Sequence, residues 1–213
     1  RGTIRMADES EFQVGRNLAT TPGAVVYRNE LLEVIQYSPT TERVHAIPIV
    51  LVAPWINKYY ILDLDEKKSL IRFLVAKGFT VFVTSWKNPD GDMRDTTLDD
   101  YLIKGALKAV DVARHVCDVP QVHLTGYCIG GTIVAALMAW LNRDDRGEQD
   151  MPVAHWTLFT SLVDFANPGE IDVFIDEDSI DYLEQRMTEK GYLDGQDMAD
   201  SFRALRSNPL VWH

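Results

Sequence analysis

The sequence has few cysteines, an excess of acidic residues and no long apolar run. Its two cysteines, Cys117 and Cys128, are too few for a disulfide framework or a cysteine-based metal site, and we expect no metal. With 32 acidic and 21 basic residues the formal net charge is −11, which argues against nucleic acid as a partner. No apolar stretch approaches the roughly 18 to 20 residues of a membrane-spanning helix, so we expect no transmembrane segment. The polar start, Arg1 to Glu11, is unlike a signal peptide, and a reducing, cytoplasmic location is predicted.

Hydrophobic residues make up 46% of the sequence, which is typical of a globular domain with a sizeable core. Apolar runs typical of strands alternate with runs of helical periodicity. Strands are predicted at 25–27, 31–37, 47–53, 79–84, 121–125 and 153–159, and helices at 65–77, 98–116 and 132–140. Thr97 is a suitable N-cap and Gly78 a suitable C-cap. This alternation predicts an α/β fold with a mostly parallel sheet and helices on both faces.

Cys128 lies in Gly126-Tyr127-Cys128-Ile129-Gly130-Gly131, between a strand-like and a helix-like run. This pattern is the nucleophile elbow of the α/β-hydrolase fold, with cysteine where serine is usual. At the apex of such a turn the side chain projects alone, close to a helix N-terminus that favours a thiolate. We therefore predict that Cys128 is a catalytic nucleophile. The alternative is a glycine-rich turn that carries a buried cysteine.

A nucleophile that attacks a carbonyl carbon also requires two donors for the oxyanion that forms on attack. The backbone N–H of Ile129 is predicted to be one, because it follows the nucleophile. The other is expected from the loop after Pro54, with Trp55 or Ile56 as the donor. The alternative for this loop is a well-packed turn at a strand end, and the two roles are compatible.

Other polar and aromatic residues have weaker patterns. His123 is interpreted as structural, Cys117 as packed at a helix end, and Asp164 as a less favoured candidate for a triad acid. Lys58 and Lys87 are less favoured candidates for contacting a phosphate group of a substrate. The acidic run Asp176, Glu177 and Asp178 is interpreted as a solvated face. No distinctive motif surrounds the other histidines, His45, His115, His155 and His213. Core or cap packing is the interpretation for the tryptophans Trp86, Trp156 and Trp212.

Four segments together resemble the polyhydroxyalkanoate synthases: residues 14–23, 54–64, 85–89 and the elbow at 126–132. Residues 172–176 and 208–212 fit the cap region of the same family. The resemblance covers nearly the whole chain, and the residues Tyr127 and Thr132 are more similar to the class that polymerises short-chain monomers.

The resemblance implies an acyltransferase that joins (R)-3-hydroxyacyl-CoA units, here expected to be 3-hydroxybutyryl-CoA, into polyester with release of CoA. The CoA thioester is the substrate and no cofactor is implied. A Cys-His-Asp triad, a homodimer and association with polymer granules are implied as well, with Cys128 as the triad cysteine. In the family's chain order the aspartate and histidine follow the cap insertion. We therefore expect both to lie beyond His213 and the isolated chain to be inactive.

The expected organisation is an N-terminal segment (1–22), a partial, truncated α/β-hydrolase core (23–165) and the start of a cap or lid subdomain (166–213). Two alternative functions remain at this point. A cysteine thioesterase or esterase of the same fold would release free acid, whereas a non-catalytic fragment would serve in dimerisation or granule binding.

Overall fold

A six-stranded sheet forms the centre of the structure, a computed structural model that describes residues 9–144, 151–169 and 176–195. Its strands are β1 (Gly23–Arg28), β2 (Leu32–Tyr37), β3 (Ile49–Val52), β4 (Val81–Trp86), β5 (Val122–Tyr127) and β6 (Val153–Phe159). The spatial order is β1-β2-β4-β3-β5-β6. Strand β2 is antiparallel to β1 and β4, and the pairs from β4 to β6 are parallel. This order and these directions are those of the α/β-hydrolase fold, as predicted.

Four of the helices lie between consecutive parallel strands, and the fifth follows the last strand. They are α1 (Leu70–Ala76), α2 (Leu98–Asp100), α3 (Lys108–Cys117), α4 (Ile129–Leu141) and α5 (Glu177–Lys190). A π-helical turn, Tyr101–Leu107, joins α2 to α3, and short 3₁₀ turns occupy Glu9–Glu11, Tyr59–Leu62 and Gly91–Met93. In the part of the chain that the structure describes, no helix has the length and apolarity needed to cross a bilayer.

The core lies on both faces of the sheet because successive strand residues point to opposite sides. In β3, Val50 and Val52 belong to a cluster that also contains the buried side chains of the π-helical turn, α3 and α4. The intervening residue Leu51 belongs to a second cluster, which is packed against α1. A strand buried on both faces explains why residues 47–53 form a nearly continuous apolar run.

Most elements differ from their predicted bounds by one or more residues, and three of these differences have a clear physical cause. Helix α1 starts at Leu70 and not at 65, because the Asp65 carboxylate accepts hydrogen bonds from two backbone N–H groups and closes a turn first. Strand β4 covers Val81–Trp86 in place of 79–84, since the Phe79 N–H bonds back to the carbonyl of Leu74 at the end of the helix. The predicted helix 98–116 contains the π-helical turn, in which Gly105 faces Trp86.

Both predicted caps are confirmed. Thr97 is the N-cap of α2, where its side chain and that of Asp100 form a reciprocal capping box. Gly78 follows the C-cap residue of α1 and has φ = 84°, a left-handed conformation that glycine adopts without steric cost.

Candidate active site

Cys128 is the single residue between β5 and α4. Its φ of 56° and ψ of −127° lie in a region that residues other than glycine rarely adopt. The backbone is held from both sides: the Cys128 N–H donates to the carbonyl of Phe159 in β6, and its own carbonyl accepts from the N–H of Gly131, both at 2.9 Å. The side chain is exposed. The thiol therefore projects from a strained and well-anchored turn.

The neighbouring glycines allow the close contacts that this turn requires. A Cβ atom at Gly126 would lie 2.3 Å from the Cα of Gly131 in the first turn of α4. A Cβ atom at Gly130 would lie 2.1 Å from the backbone oxygen of Val52. Any larger residue at either position would push α4 away from β5 and from the end of β3. The glycines thus keep the N-terminus of α4 directly beside Cys128.

The predicted oxyanion donors belong to two adjacent elements. Ile129 is the first residue of α4, and N–H groups in the first turn of a helix have no intrahelical acceptor. In the parallel pair of β3 and β5, Val52 lies opposite Gly126. The loop that carries Trp55 and Ile56 consequently leaves the sheet at the edge where Cys128 lies. Trp55 is half-buried and Ile56 is exposed, and their role as donors stays a prediction.

An aromatic cluster holds the start of this loop. The Trp55 ring lies 4.7 Å from that of Tyr101, and Trp86 meets both rings. The Trp86 indole N–H donates to the carbonyl of Ala53 at 2.7 Å, and the Ala53 N–H donates to the Thr84 hydroxyl at 2.9 Å. The Trp55 indole nitrogen is buried and has no hydrogen-bond partner within the described residues.

The histidines that the structure describes lie elsewhere. His123 and His155 are register partners in β5 and β6, and their rings stack with centroids 5.4 Å apart. Burial, and next the charge of His155, lower the pKa of His123. His123 precedes Cys128 by five residues of strand, roughly 16 Å at about 3.3 Å per residue. His45 contacts the Lys77 carbonyl and the Phe79 ring.

These positions argue against a Cys128–histidine pair among the described histidines. His115 lies in the last turn of α3, and no hydrogen bond between Cys128 and a histidine is present among the described residues. His213, Trp212, residues 172–175 and the segment 208–212 lie outside the described residues.

The remaining candidates lie in different elements and differ in their burial. Asp164 is exposed in the loop after β6, where its carboxylate accepts from the Ala166 N–H. Cys117 ends α3 and packs against the core, as predicted, and burial raises the pKa of its thiol. Lys58 is hydrogen-bonded to the Asn88 side chain, and burial lowers its pKa.

Other predicted residues have the following environments. Lys87 is paired with Asp90 at 2.8 Å. The residues Asp176, Glu177 and Asp178 are exposed, as predicted. Trp86 is buried in the core, whereas Trp156 is 47% exposed on β6.

The sequence analysis assigned no structural role to two polar side chains, those of Thr132 and Asp63. The Thr132 hydroxyl donates to the Leu162 carbonyl at 2.7 Å and so joins α4 to the loop after β6. Asp63 is 1% exposed although it is acidic. The signal that identifies Asp63 is its place in the apolar stretch Ile61-Leu62-Asp63-Leu64, where a charged residue requires hydrogen-bond partners.

The chain is similar to known polymerases over its whole length. Residues 1–74 match the family model described as poly-beta-hydroxybutyrate polymerase (PhaC) N-terminus. The chain is 45% identical to the poly(3-hydroxyalkanoate) polymerase subunit PhaC of Cupriavidus necator, an alignment that covers 100% of this chain and 36% of the relative. It is 44% identical to the poly(3-hydroxyalkanoate) polymerase of Methylorubrum extorquens, in an alignment that covers 98% of this chain and 34% of that relative.

A third relative, the poly(3-hydroxyalkanoate) polymerase 2 of Ectopseudomonas oleovorans, is 39% identical, covering 100% of this chain and 37% of that protein. The chain thus spans about a third of the length of these curated relatives. Among solved structures, the inhibited esterase B from Lactobacillus rhamnosis matches with a TM-score of 0.49 at 16% identity, covering 73% of this chain and 52% of that one.

Proposed function

The chain belongs to the poly(3-hydroxyalkanoate) polymerase family, and on that premise we propose that Cys128 carries the acyl group in polyester synthesis from (R)-3-hydroxyacyl-CoA. The observation that supports this most directly is the position of Cys128. It is the one residue between β5 and α4, with an exposed thiol and a strained, hydrogen-bonded backbone. Cys117 has the opposite features, since it is half-buried and its pKa is raised by burial.

The proposed reaction begins with attack of the Cys128 thiolate on the thioester carbonyl carbon. The bond from that carbon to the CoA sulfur breaks, and the CoA thiolate leaves and takes up a proton. The hydroxyl of a second 3-hydroxyacyl unit then attacks the carbonyl carbon of the cysteine thioester and forms the ester bond of the polymer. The bond from that carbon to the Cys128 sulfur breaks, and the proton that the hydroxyl loses balances the thiolate that is released. Exchange of one thioester for another is nearly thermoneutral, so the acyl group keeps its activation between the steps. A serine would hold it as a less reactive ester.

Negative charge develops on the carbonyl oxygen during both attacks. The N–H of Ile129 is the proposed first donor, because it is the residue after the nucleophile and begins α4. A backbone N–H of Trp55 or Ile56 is the proposed second donor, since their loop leaves the sheet beside the elbow. The family resemblance implies that a histidine, supported by an aspartate, is the base that activates the thiol. We propose that this histidine and this aspartate are not among the described residues.

The test of this function compares Cys128→Ser with Cys117→Ser in the complete natural polypeptide that contains these residues, supplied with 3-hydroxybutyryl-CoA. We expect Cys128→Ser to lower CoA release and polymer yield by at least about 1000-fold. Cys117→Ser is the matched control and is expected to keep both. Mass spectrometry of the quenched parent protein is expected to find the acyl adduct on the peptide that contains Cys128.

Three results would contradict the proposal in different ways. Equal polymer yield from Cys128→Ser and the parent would exclude Cys128 as the acyl carrier. Free 3-hydroxy acid with CoA release and no polymer would identify a thioesterase. An absence of both adduct and CoA release would support a binding role.

The family membership also leads us to propose a homodimer that acts in the cytoplasm at the surface of polyester granules. Sedimentation velocity of the complete polypeptide tests the dimer, and co-purification with granules tests the association. A monomer at all concentrations, or a protein that stays in the granule-free fraction, would contradict the respective proposal.

A further inference from the structure

The buried side chain of Asp63 accepts three hydrogen bonds from uncharged groups. Its Oδ1 accepts from the hydroxyls of Thr21 and Ser69, both at 2.6 Å, and its Oδ2 accepts from the N–H of Thr21 at 3.2 Å. Burial, and next the negative charge of Asp63, raise the pKa of Tyr37. The same two causes, in that order, raise the pKa of Tyr59. This carboxylate is therefore the polar centre of an otherwise apolar region.

The network joins Asp63 to Ser69, six residues further along the chain, and to a segment that is distant in the sequence. Thr21 lies in the segment before β1, 42 residues from Asp63. Ser69 is the N-cap of α1, and its hydroxyl accepts from the Arg72 N–H while it donates to Asp63. The main chain adds a further bond, from the Ala19 N–H to the Asp63 carbonyl at 2.8 Å. Asp63 thus fixes the far end of the loop formed by residues 54–62, which we call the donor loop.

The near end of the donor loop is fixed at the elbow. Gly130 packs directly on the Val52 carbonyl, and Ala53 is hydrogen-bonded through both its N–H and its carbonyl. Between these two ends, the donor loop contains the 3₁₀ turn Tyr59–Leu62 and the candidate donors Trp55 and Ile56. A loop held at both ends keeps its backbone N–H groups in place without reorganisation during the reaction.

We propose that Asp63 is a positioning residue for acyl transfer: together with Thr21 and Ser69, it holds the donor loop so that one of its backbone N–H groups faces the oxyanion at Cys128. The inference rests on the function proposed above and adds the residue that orients one of its donors. A displacement of about 1 Å in a positioned group is sufficient to slow a reaction about 100-fold. Loss of a network hydrogen bond is therefore expected to slow acylation without removing the nucleophile.

The experiment compares two reactions of Cys128 in the complete natural polypeptide. Acylation by 3-hydroxybutyryl-CoA passes through an oxyanion, whereas alkylation by iodoacetamide displaces iodide from a CH₂ group and forms none. Thr21→Val removes the hydroxyl donor at nearly constant volume, and Thr21→Ser is the conservative control that restores it. Asp63→Asn replaces an acceptor oxygen with a donor group that faces the Thr21 and Ser69 donors.

We expect Thr21→Val and Asp63→Asn to lower the single-turnover acylation rate about 10- to 100-fold. Alkylation of the Cys128 peptide is expected to stay within about twofold, and Thr21→Ser is expected to match the parent in both reactions. If Asp63→Asn does not fold, the Thr21→Val and Thr21→Ser pair decides the question by itself.

Equal slowing of acylation and alkylation would overturn the proposal, because the network would then only support the fold around the thiol. Unchanged acylation in folded Thr21→Val and Asp63→Asn would overturn it as well. Failure of the parent protein to acylate Cys128 would instead overturn the function on which this inference rests. If the parent protein is acylated and the variants are acylated at the same rate, only the role of Asp63 is contradicted.

Discussion

At the scale of single residues, the backbone at Cys128 carries a conformational cost that the elbow requires. With φ at 56°, the Cβ of a residue other than glycine is crowded against its own backbone, at a cost of about 1 to 3 kcal/mol. The hydrogen bonds to Phe159 and Gly131 hold the residue in this conformation. The strain persists because these contacts fix the backbone on both sides of the turn, and a relaxed backbone would lose them.

The strain predicts an inverted order of stability for two substitutions. Cys128→Gly and Cys128→Ala both remove the thiol, but only alanine keeps a Cβ. We expect the glycine variant to be about 1 kcal/mol more stable than the alanine variant in urea unfolding. In the interior of an ordinary helix, alanine is instead more stable than glycine by about 1 kcal/mol.

The matched control is Asp111, an exposed residue of α3. Both Asp111→Gly and Asp111→Ala lose the ion pair with Arg114, so their difference reports the backbone alone. The alanine variant is expected to be the more stable there. An alanine advantage of the same size at Cys128 would show that the elbow is unstrained.

At the scale of elements, the helix that begins at α2 depends on a single capping box. The Thr97 hydroxyl accepts from the Asp100 N–H, and the Asp100 carboxylate accepts from the Thr97 N–H at 2.9 Å. The box satisfies backbone groups that the first helical turn leaves without partners. It thereby fixes where the π-helical turn starts and how Tyr101 approaches Trp55.

Removal of this cap is predicted to destabilise the protein moderately. Thr97→Ala is expected to cost about 1 kcal/mol of unfolding free energy at neutral pH. Thr97→Ser keeps the hydroxyl and is expected to cost much less. Urea unfolding followed by circular dichroism measures both, and equal losses would contradict a capping role for the hydroxyl.

The same box predicts a pH dependence. Hydrogen bonds from the Thr97 N–H and next from Lys104 lower the pKa of Asp100. Its contribution to stability is therefore fully present above the ordinary aspartate pKa of about 3.9 and is lost as the pH falls through the lower folded-state value. The stability difference between parent and Asp100→Asn should shrink over this range. Asp99→Asn, in the same turn but outside the box, is the control, and a pH-independent difference for Asp100→Asn would refute the assignment.

At the scale of the whole molecule, the sheet divides the core into two independent halves. Ile71 of α1 belongs to one cluster and Ile133 of α4 to the other, and both are at most 1% exposed. Alternate residues of the same strands face the two clusters. Side chains in different clusters therefore contact the sheet from opposite sides.

This division predicts additive effects across the sheet. Ile71→Val and Ile133→Val are each expected to cost about 0.5 to 1.5 kcal/mol, and the double variant should equal their sum within about 0.5 kcal/mol. The comparison pair is Ile133→Val with Leu137→Ala, which lie one helical turn apart in the same cluster. That pair is expected to deviate from additivity. Coupling of similar size in both pairs, measured by urea unfolding, would contradict two separate halves.

The order of the elements was predictable from the sequence because local patterns specify them. Apolar strands, helical stripes, the Thr97 and Gly78 caps and the elbow around Cys128 each depend on a window of a few residues. The same locality made the candidate nucleophile identifiable. The boundaries of β4 and α1 were less predictable, since backbone hydrogen bonds beyond the apolar run decide where each begins.

The sequence by itself determined the α/β class, the succession of strands and helices and the residue at the apex of the elbow, because each is specified by neighbouring side chains. Only the tertiary structure decided that β2 runs antiparallel to β4, that Gly105 packs on Trp86, and that Thr21 meets Asp63. These depend on contacts between residues far apart in the chain. A buried carboxylate and a hydroxyl 42 residues before it have no shared local pattern, and only folding shows that one satisfies the other.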